Sequence, residues 1–122
     1  MSDEQLKLAK EVLPGGLGVI AAAGYINNEG GQAIADAATD LMGRGCSTLL
    51  IDLDGTRIIN SIGVSILLEI LEKLLERGGR LAFCNLTPTI AKTFEIMGLA
   101  QYADLFPARH TAYAELGVNV PS

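Results

Sequence analysis

The chain has 122 residues, a formal net charge of −5 and 49% hydrophobic residues. A chain of this length forms one domain with a real core, and this apolar content excludes intrinsic disorder. The nine basic residues are scattered along the sequence, which argues against nucleic acid binding because that function needs a basic patch.

The sequence indicates neither a membrane segment nor a cofactor site. The longest apolar runs, such as residues 19–23, are too short to cross a bilayer, and the first residues lack the pattern of a signal peptide, so we expect a cytoplasmic protein. Cys46 and Cys84 lack the spacing of a metal site, and the single histidine, His110, has no cysteine or second histidine near it. We therefore predict no metal, no cofactor, no membrane contact and no catalytic residue.

The first third of the chain favours a β-hairpin, a loop and a helix. Residues 6–13 and 19–23 are apolar stretches on either side of the turn formers Pro14, Gly15 and Gly16. Residues 24–31 are rich in glycine and asparagine, which tolerate positive φ, and predict a loop. Residues 32–44 carry apolar side chains at helical spacing and end between two glycines, which predicts the first helix.

Residues 48–77 read as a strand, a loop and a helix. The apolar run at 49–51 stops at Asp52, Asp54 and Gly55, as in a buried strand that is closed by turn formers. We expect a loop from there to the helix start, where Asn60 and Ser61 are both suitable N-cap residues.

The rest of the chain adds a strand at 80–85, a third helix that starts at Thr87 and Pro88, a brief strand around 105–106 and a last helix at about 110–116. Alternating strands and helices imply parallel pairing through helical crossovers. The sequence therefore predicts an α/β fold: a mixed, mainly parallel sheet of four to five strands, flanked by about four helices. We expect one domain over residues 1–122, with its core at about 5–116, and neighbouring loops at 24–31 and 54–61.

Two kinds of chemistry are conceivable in the central loop. Asp52 and Asp54 form a carboxylate pair, but no third metal ligand or base follows at a useful spacing, so we expect them to serve the turn. Ser61 places a hydroxyl beside a helix N-terminus, where a phosphate would meet free amides and the positive end of the helix dipole. The alternative for Ser61 is a plain capping serine.

The helix after Ser61 has two apolar groups on a helical wheel. One group forms the predicted core stripe and comprises Val64, Leu67, Leu68, Leu71, Leu74 and Leu75. Ile62 and Ile66 point to the opposite side, with Ile70 between the two faces. Two apolar side chains beside Ser61 predict a docking patch, unless a loop or the first helix covers them.

Five segments of the chain resemble the STAS domain family, whose soluble members are bacterial anti-sigma factor antagonists. They are Gly24-Tyr25-Ile26-Asn27, Leu50-Ile51-Asp52-Leu53-Asp54-Gly55, Ile59-Asn60-Ser61-Ile62-Gly63, Gly78-Gly79-Arg80-Leu81 with Asn85, and Glu95-Ile96-Met97-Gly98-Leu99. The resemblance covers about residues 5–116. It implies a non-enzymatic regulator that binds an anti-sigma factor which is also a serine kinase, and it implies a monomer or a weak homodimer. From the helical wheel and the resemblance together we expect the partner-binding residues to be Asn27, Asn60, Ser61, Ile62, Ser65, Ile66 and Glu69.

The resemblance also implies control by phosphorylation, with departures at the site itself. The family's usual loop reads Asp-Ser-Ser-Gly, and its second serine is commonly the phosphate acceptor. Here Asn60 replaces the aspartate, Ile62 occupies the acceptor position, and Asn27 stands where the first loop often has aspartate. Ser61 is therefore the candidate phosphorylation site. The alternatives are a non-phosphorylatable scaffold protein and a module that binds a nucleotide or another anionic small molecule.

Overall fold

The computed structural model describes residues 6–117. It contains five strands and four α-helices in this stretch, in the order β1 Lys7–Leu13, β2 Leu17–Ile26, α1 Asn28–Gly43, β3 Thr48–Ile59, α2 Ser61–Glu76, β4 Arg80–Cys84, α3 Pro88–Ile96, β5 Asp104–Phe106 and α4 Arg109–Glu115. A short 3-10 turn, Leu99–Gln101, lies between α3 and β5.

The five strands form one mixed sheet in the order β1-β2-β3-β4-β5. β1 and β2 pair antiparallel around the turn at Gly15 and Gly16, which confirms the predicted hairpin. All other neighbours are parallel, and each parallel pair is joined by a connection that contains a helix. The predicted α/β class and the mainly parallel sheet are confirmed.

The helices divide between the two faces of the sheet. α1, α2 and α3 bury their apolar sides on one face, which we call the first face, against strand residues such as Ile20, Ile51 and Phe83. On the opposite, second face, Leu50 and Cys84 lie in a smaller apolar cluster with α4. Since α4 has only seven residues, the β1 and β2 side of the second face is left partly open.

The central strand is longer than predicted. Asp54 and Gly55 were expected to end it, but β3 continues to Ile59 and pairs with β2 through two register shifts. The Thr56 hydroxyl is buried and donates to the Ala22 carbonyl at 3.0 Å, which holds the irregular ladder together. The predicted loops therefore shrink to one residue each, Asn27 and Asn60, and the junctions they form lie side by side.

The buried stripe of α2 also differs from the helical wheel. Leu75 was expected in the core but is 44% exposed, while Ile70 was expected between the faces and is 3% exposed. The reason is that α1 packs along one side of α2, so that burial extends toward that side. Other local predictions are confirmed, since Thr87 caps α3 at 3.1 Å with Pro88 as the first helical residue.

Candidate functional site

The sheet brings two similar strand–helix junctions together. Ile26 ends β2 and Ile59 ends β3, and the two residues are partners in the parallel ladder. In each case an asparagine with extended backbone follows, and a helix begins at the next residue. The two helix N-termini are therefore neighbours at the carboxyl end of the sheet, where α/β folds gather their functional groups.

Each junction is closed by its asparagine side chain. The Oδ1 of Asn27 accepts from the Gly30 amide at 2.8 Å, and the Oδ1 of Asn60 accepts from the Gly63 amide at 2.8 Å. Such a cap satisfies one of the free amides of the first helical turn and fixes the start of the helix. Ser61 is thus the first helical residue and not the cap, which removes the capping explanation for it.

Glycine is required at the third helical position of both helices because the backbone at the end of β2 lies close by. A Cβ at Gly30 would stand 2.5 Å from the Tyr25 carbonyl oxygen. A Cβ at Gly63 would overlap the carbonyl oxygen of Ile26, which is fully buried. The repeated Asn-x-x-Gly pattern therefore lets each helix start directly on the sheet.

The outer side of the first turns of α2 is exposed. Ser61, Ser65 and Glu69 are all exposed, and the side chain of Ile62 is 53% exposed. The Ser65 hydroxyl donates to the Ser61 carbonyl at 3.0 Å, and Ser61 itself lies at the exposed start of the helix. The sequence-predicted site residues are thus brought together at one corner, with Asn27 and Asn60 on its inner edge.

Ile66 is the exception to this grouping. It was expected to be exposed beside Ile62, but it is half-buried and packs against Gly31 of α1. A Cβ at Gly31 would lie 2.9 Å from the Ile66 Cδ1, so the two helices approach as closely as a glycine allows. The first helix therefore covers Ile66, and we define the candidate docking surface as Ser61, Ile62, Ser65 and Glu69.

The two helix starts beside this surface carry little charge, and Glu69 lies two turns further along α2. The first turn of α2 has no acidic side chain, and both caps are neutral amides. Glu29 in the first turn of α1 is the acidic group on the neighbouring helix start. The positive ends of the two helix dipoles are therefore only partly compensated, which favours a partner or modification that brings negative charge.

The carboxylate considered for catalysis has a structural task instead. Asp52 is 6% exposed; its Oδ2 accepts from Arg109 at 2.8 Å, and its Oδ1 accepts from Asn85 at 2.9 Å and from the Asp54 amide at 3.0 Å. Burial raises the pKa of Asp52, but these hydrogen bonds outweigh it and hold the pKa below its usual value. These contacts tie the start of α4 to the central strand.

The sequence did not predict two of the residues that form hydrogen bonds to Asp52. Arg109 lies 57 residues from Asp52 along the chain, and no spacing rule links them. Asn85 has a positive φ of 60°, which asparagine tolerates, and this places its amide toward Asp52. The one available signal was an asparagine directly after a buried strand.

Between residues 6 and 117, no group of three metal-ligating side chains occurs, and no helix is long and apolar enough to cross a membrane. An open hollow of about 420 Å³ lies on the second face beside Arg109 and is lined in part by Lys7, Ala21 and Ala23.

Comparisons with known proteins agree with this geometry. In a search of solved structures, an anti-sigma factor antagonist from Mycobacterium paratuberculosis superposes with a TM-score of 0.81 at 22% identity, covering 94% of this chain and 97% of that chain. The phosphorylated form of the Bacillus cell fate determinant SpoIIAA gives 0.72 at 20% identity, covering 90% and 99%. The murine anion transporter solute carrier 26 family member A9 gives 0.74 at 13% identity, covering 95% of this chain and 22% of the transporter.

These likenesses show a shared fold. A search of curated proteins found no match. A scan against protein-family models matches the STAS domain over residues 9–112, which includes nearly all of the sheet, both asparagine-capped junctions and the first residues of α4. The chain belongs to the STAS domain family.

Proposed function

We propose that this STAS domain is a protein-binding regulator of the anti-sigma factor antagonist type, and that its partner is an anti-sigma factor which is also a serine kinase. The observation that carries the proposal is the exposed Ile62 beside Ser61 in the first turn of α2. An apolar side chain at such a rigid corner is typical of the centre of a protein interface. The fold likeness to an anti-sigma factor antagonist, with a TM-score of 0.81, supports the same choice.

The corner around Ile62 is already rigid before any partner binds. The Asn60 cap, the contact of Gly63 with β2 and the buried side chain of Val64 hold the first turn of α2 on the sheet. Binding then orders few groups, so that a small apolar contact contributes most of its burial energy to affinity.

Titration calorimetry with the purified anti-sigma factor/serine kinases of the source genome tests the proposal. We expect Ile62→Asp to weaken binding by about tenfold or more, since a charge would replace the apolar contact. Leu75→Asp is the matched control, because Leu75 is 44% exposed at the other end of the same helix and should leave affinity unchanged. Equal binding by wild type and Ile62→Asp would refute the docking surface.

We further propose that Ser61 is where phosphorylation controls this partner. A phosphate on the first helical residue would lie at the positive end of the α2 dipole, which stabilises it. It would also place a double charge directly beside Ile62, in the middle of the apolar contact. Because Asn27 and Asn60 carry no charge, repulsion within the domain adds little, and the effect on binding arises at the interface.

Phosphate incorporation by the cognate kinase with ATP tests this second step. Ser61→Ala should abolish incorporation, whereas Ser65→Ala, an exposed serine one turn further along α2, should be phosphorylated like wild type. If Ser61→Ala is phosphorylated as heavily as wild type, Ser61 is not the acceptor.

A second candidate function is the binding of an anionic small molecule at the same helix start. It is favoured by the absence of acidic side chains in the first turn of α2. Titration with ATP and with inorganic phosphate, followed by amide NMR shifts at residues 61–63, separates the two functions. Saturable shifts without any protein partner would favour the small molecule, and no shifts up to about 10 mM would exclude it.

A further inference from the structure

We propose that β1 is the contact between two copies of this chain, which pair antiparallel along their β1 strands about a two-fold axis at Ala9. The two sheets would then join into one sheet of ten strands. This assigns a second interaction surface, separate from the candidate docking surface on α2, and commits it to a second copy as occupant.

The first observation is that β1 is an accessible edge strand of the sheet. It has seven residues, lies at the edge of the strand order and is paired only with β2 among the residues described. Five of its seven side chains are exposed. Its outer row of amides and carbonyls is therefore available to another strand, and edge strands of this kind pair with further chains unless something blocks them.

The second observation is how the side chains of β1 divide between the faces. Lys7, Ala9 and Glu11 belong to the second face, since Lys7 and Ala9 line the hollow beside Arg109 and Glu11 lies 3.6 Å from the Arg109 Nη1. Lys10 belongs to the first face, because it pairs with Asp40 of α1 at 2.9 Å. In an antiparallel pair, opposite residues must lie on the same face, so only some registers are allowed.

Charge selects one of these registers. With the axis at Ala9, Lys7 of each copy faces Glu11 of the second copy, which gives two opposite-charge pairs. The same register places the exposed Val12 beside the half-buried Leu6 of the second copy on the first face. An axis at Lys10 or at Glu11 would instead place like charges directly opposite each other, which destabilises a strand pair.

Lys7 on this edge makes the pairing selective for a second copy. A lysine on an edge strand opposes pairing with most other strands, because its charge must find a partner there. A second copy supplies that partner at Glu11, whereas an unrelated apolar strand does not. The axis also directs the α2 corners of the two copies to opposite ends of the joined sheet, so that both stay accessible.

Sedimentation equilibrium from about 10 µM to about 1 mM tests the proposal, because a strand pair of this length is below the size of a stable interface and should be weak. Lys7→Glu should weaken the dimer by about tenfold, and the double variant Lys7→Glu with Glu11→Lys should restore it. Lys92→Glu on α3 makes the same change of charge at an exposed position elsewhere and should leave the dimer unchanged. A wild type that stays monomeric, or a dimer that Lys7→Glu does not weaken, would overturn the proposal.

Oxidative cross-linking checks the register independently of affinity. In the proposed pair the two Ala9 residues face each other at a distance that suits a disulfide, so Ala9→Cys should form a covalent dimer. Val12→Cys on the same strand faces Leu6 and should not. The native Cys46 and Cys84 are buried and do not compete. Cross-linking at Val12 but not at Ala9 would exclude the axis.

Discussion

Replacing Gly63 by alanine tests how closely α2 sits on the sheet. The added methyl group would overlap the Ile26 carbonyl oxygen, lie 2.9 Å from the Ile26 Cγ2 and lie 3.0 Å from the Ile26 carbonyl carbon. Ordinary contacts of this kind are about 3.5 to 4.0 Å, so either the helix start or the strand end must shift by about 1 Å. Ile26 is fully buried and has no space to move into.

The expected cost follows from the rigidity of this contact. Overpacking of a well-packed site destabilises by about 1–3 kcal/mol, and backbone atoms on the receiving side put Gly63→Ala at the upper end, at about 3 kcal/mol. Gly43→Ala is the control, since a Cβ there meets nothing within 4 Å and Gly43 is the last residue of α1. It should be neutral or stabilise by up to about 1 kcal/mol through reduced freedom of the unfolded chain.

Urea unfolding of both variants, followed by circular dichroism, measures the two free energies. A loss of less than about 0.5 kcal/mol for Gly63→Ala would mean that β2 and α2 separate easily. The docking surface would then not be rigid, and the argument that it is ordered before a partner binds would fail.

Two further predictions concern buried titratable groups on the second face. The pKa of Asp52 is held below its usual value of about 3.9, so its contribution to stability is present above that pH and is lost as the pH falls through the folded-state pKa. Between about pH 5 and 3, the free energy of unfolding in urea should therefore fall more for wild type than for Asp52→Asn. Equal losses would contradict the role of the hydrogen bonds to Asp52. Burial, together with the nearby charge of Asp52, raises the pKa of Cys84 to about 12. At pH 8 a thiol reagent should therefore label Cys84 only at the rate at which the protein unfolds. Rapid labelling of the native protein would show that α4 opens.

Local sequence patterns were sufficient to predict the order of the helices and strands but not their lengths. The hairpin turn at Gly15 and Gly16 and the cap at Thr87 were predicted because their signals lie within a few residues. Asp54 and Gly55 carry an equally strong turn signal, yet they lie in β3, because pairing with β2 and the bond from Thr56 outweigh local preference. Such outcomes depend on a neighbouring strand more than thirty residues away.

Only part of the candidate site could be predicted, because some of its residues are placed by local signals and others by distant neighbours. Ile62 and the two asparagines could be identified from the sequence, since the helix start fixes their place. Ile66 could not be placed, because its burial depends on Gly31, a residue without a side chain on another helix. A helical wheel shows direction but not which neighbour lies there.

The bond between Asp52 and Arg109 also bears on how the chain folds during its synthesis. Asp52 lies in the middle strand, but its counter-ion is supplied 57 residues later, by the first residue of α4. Before that helix leaves the ribosome, the second face around Asp52 is uncovered and water can solvate the carboxylate. Asp52 therefore loses its water only when Arg109 arrives to compensate its charge, and the second face closes only when nearly all of the described chain has emerged.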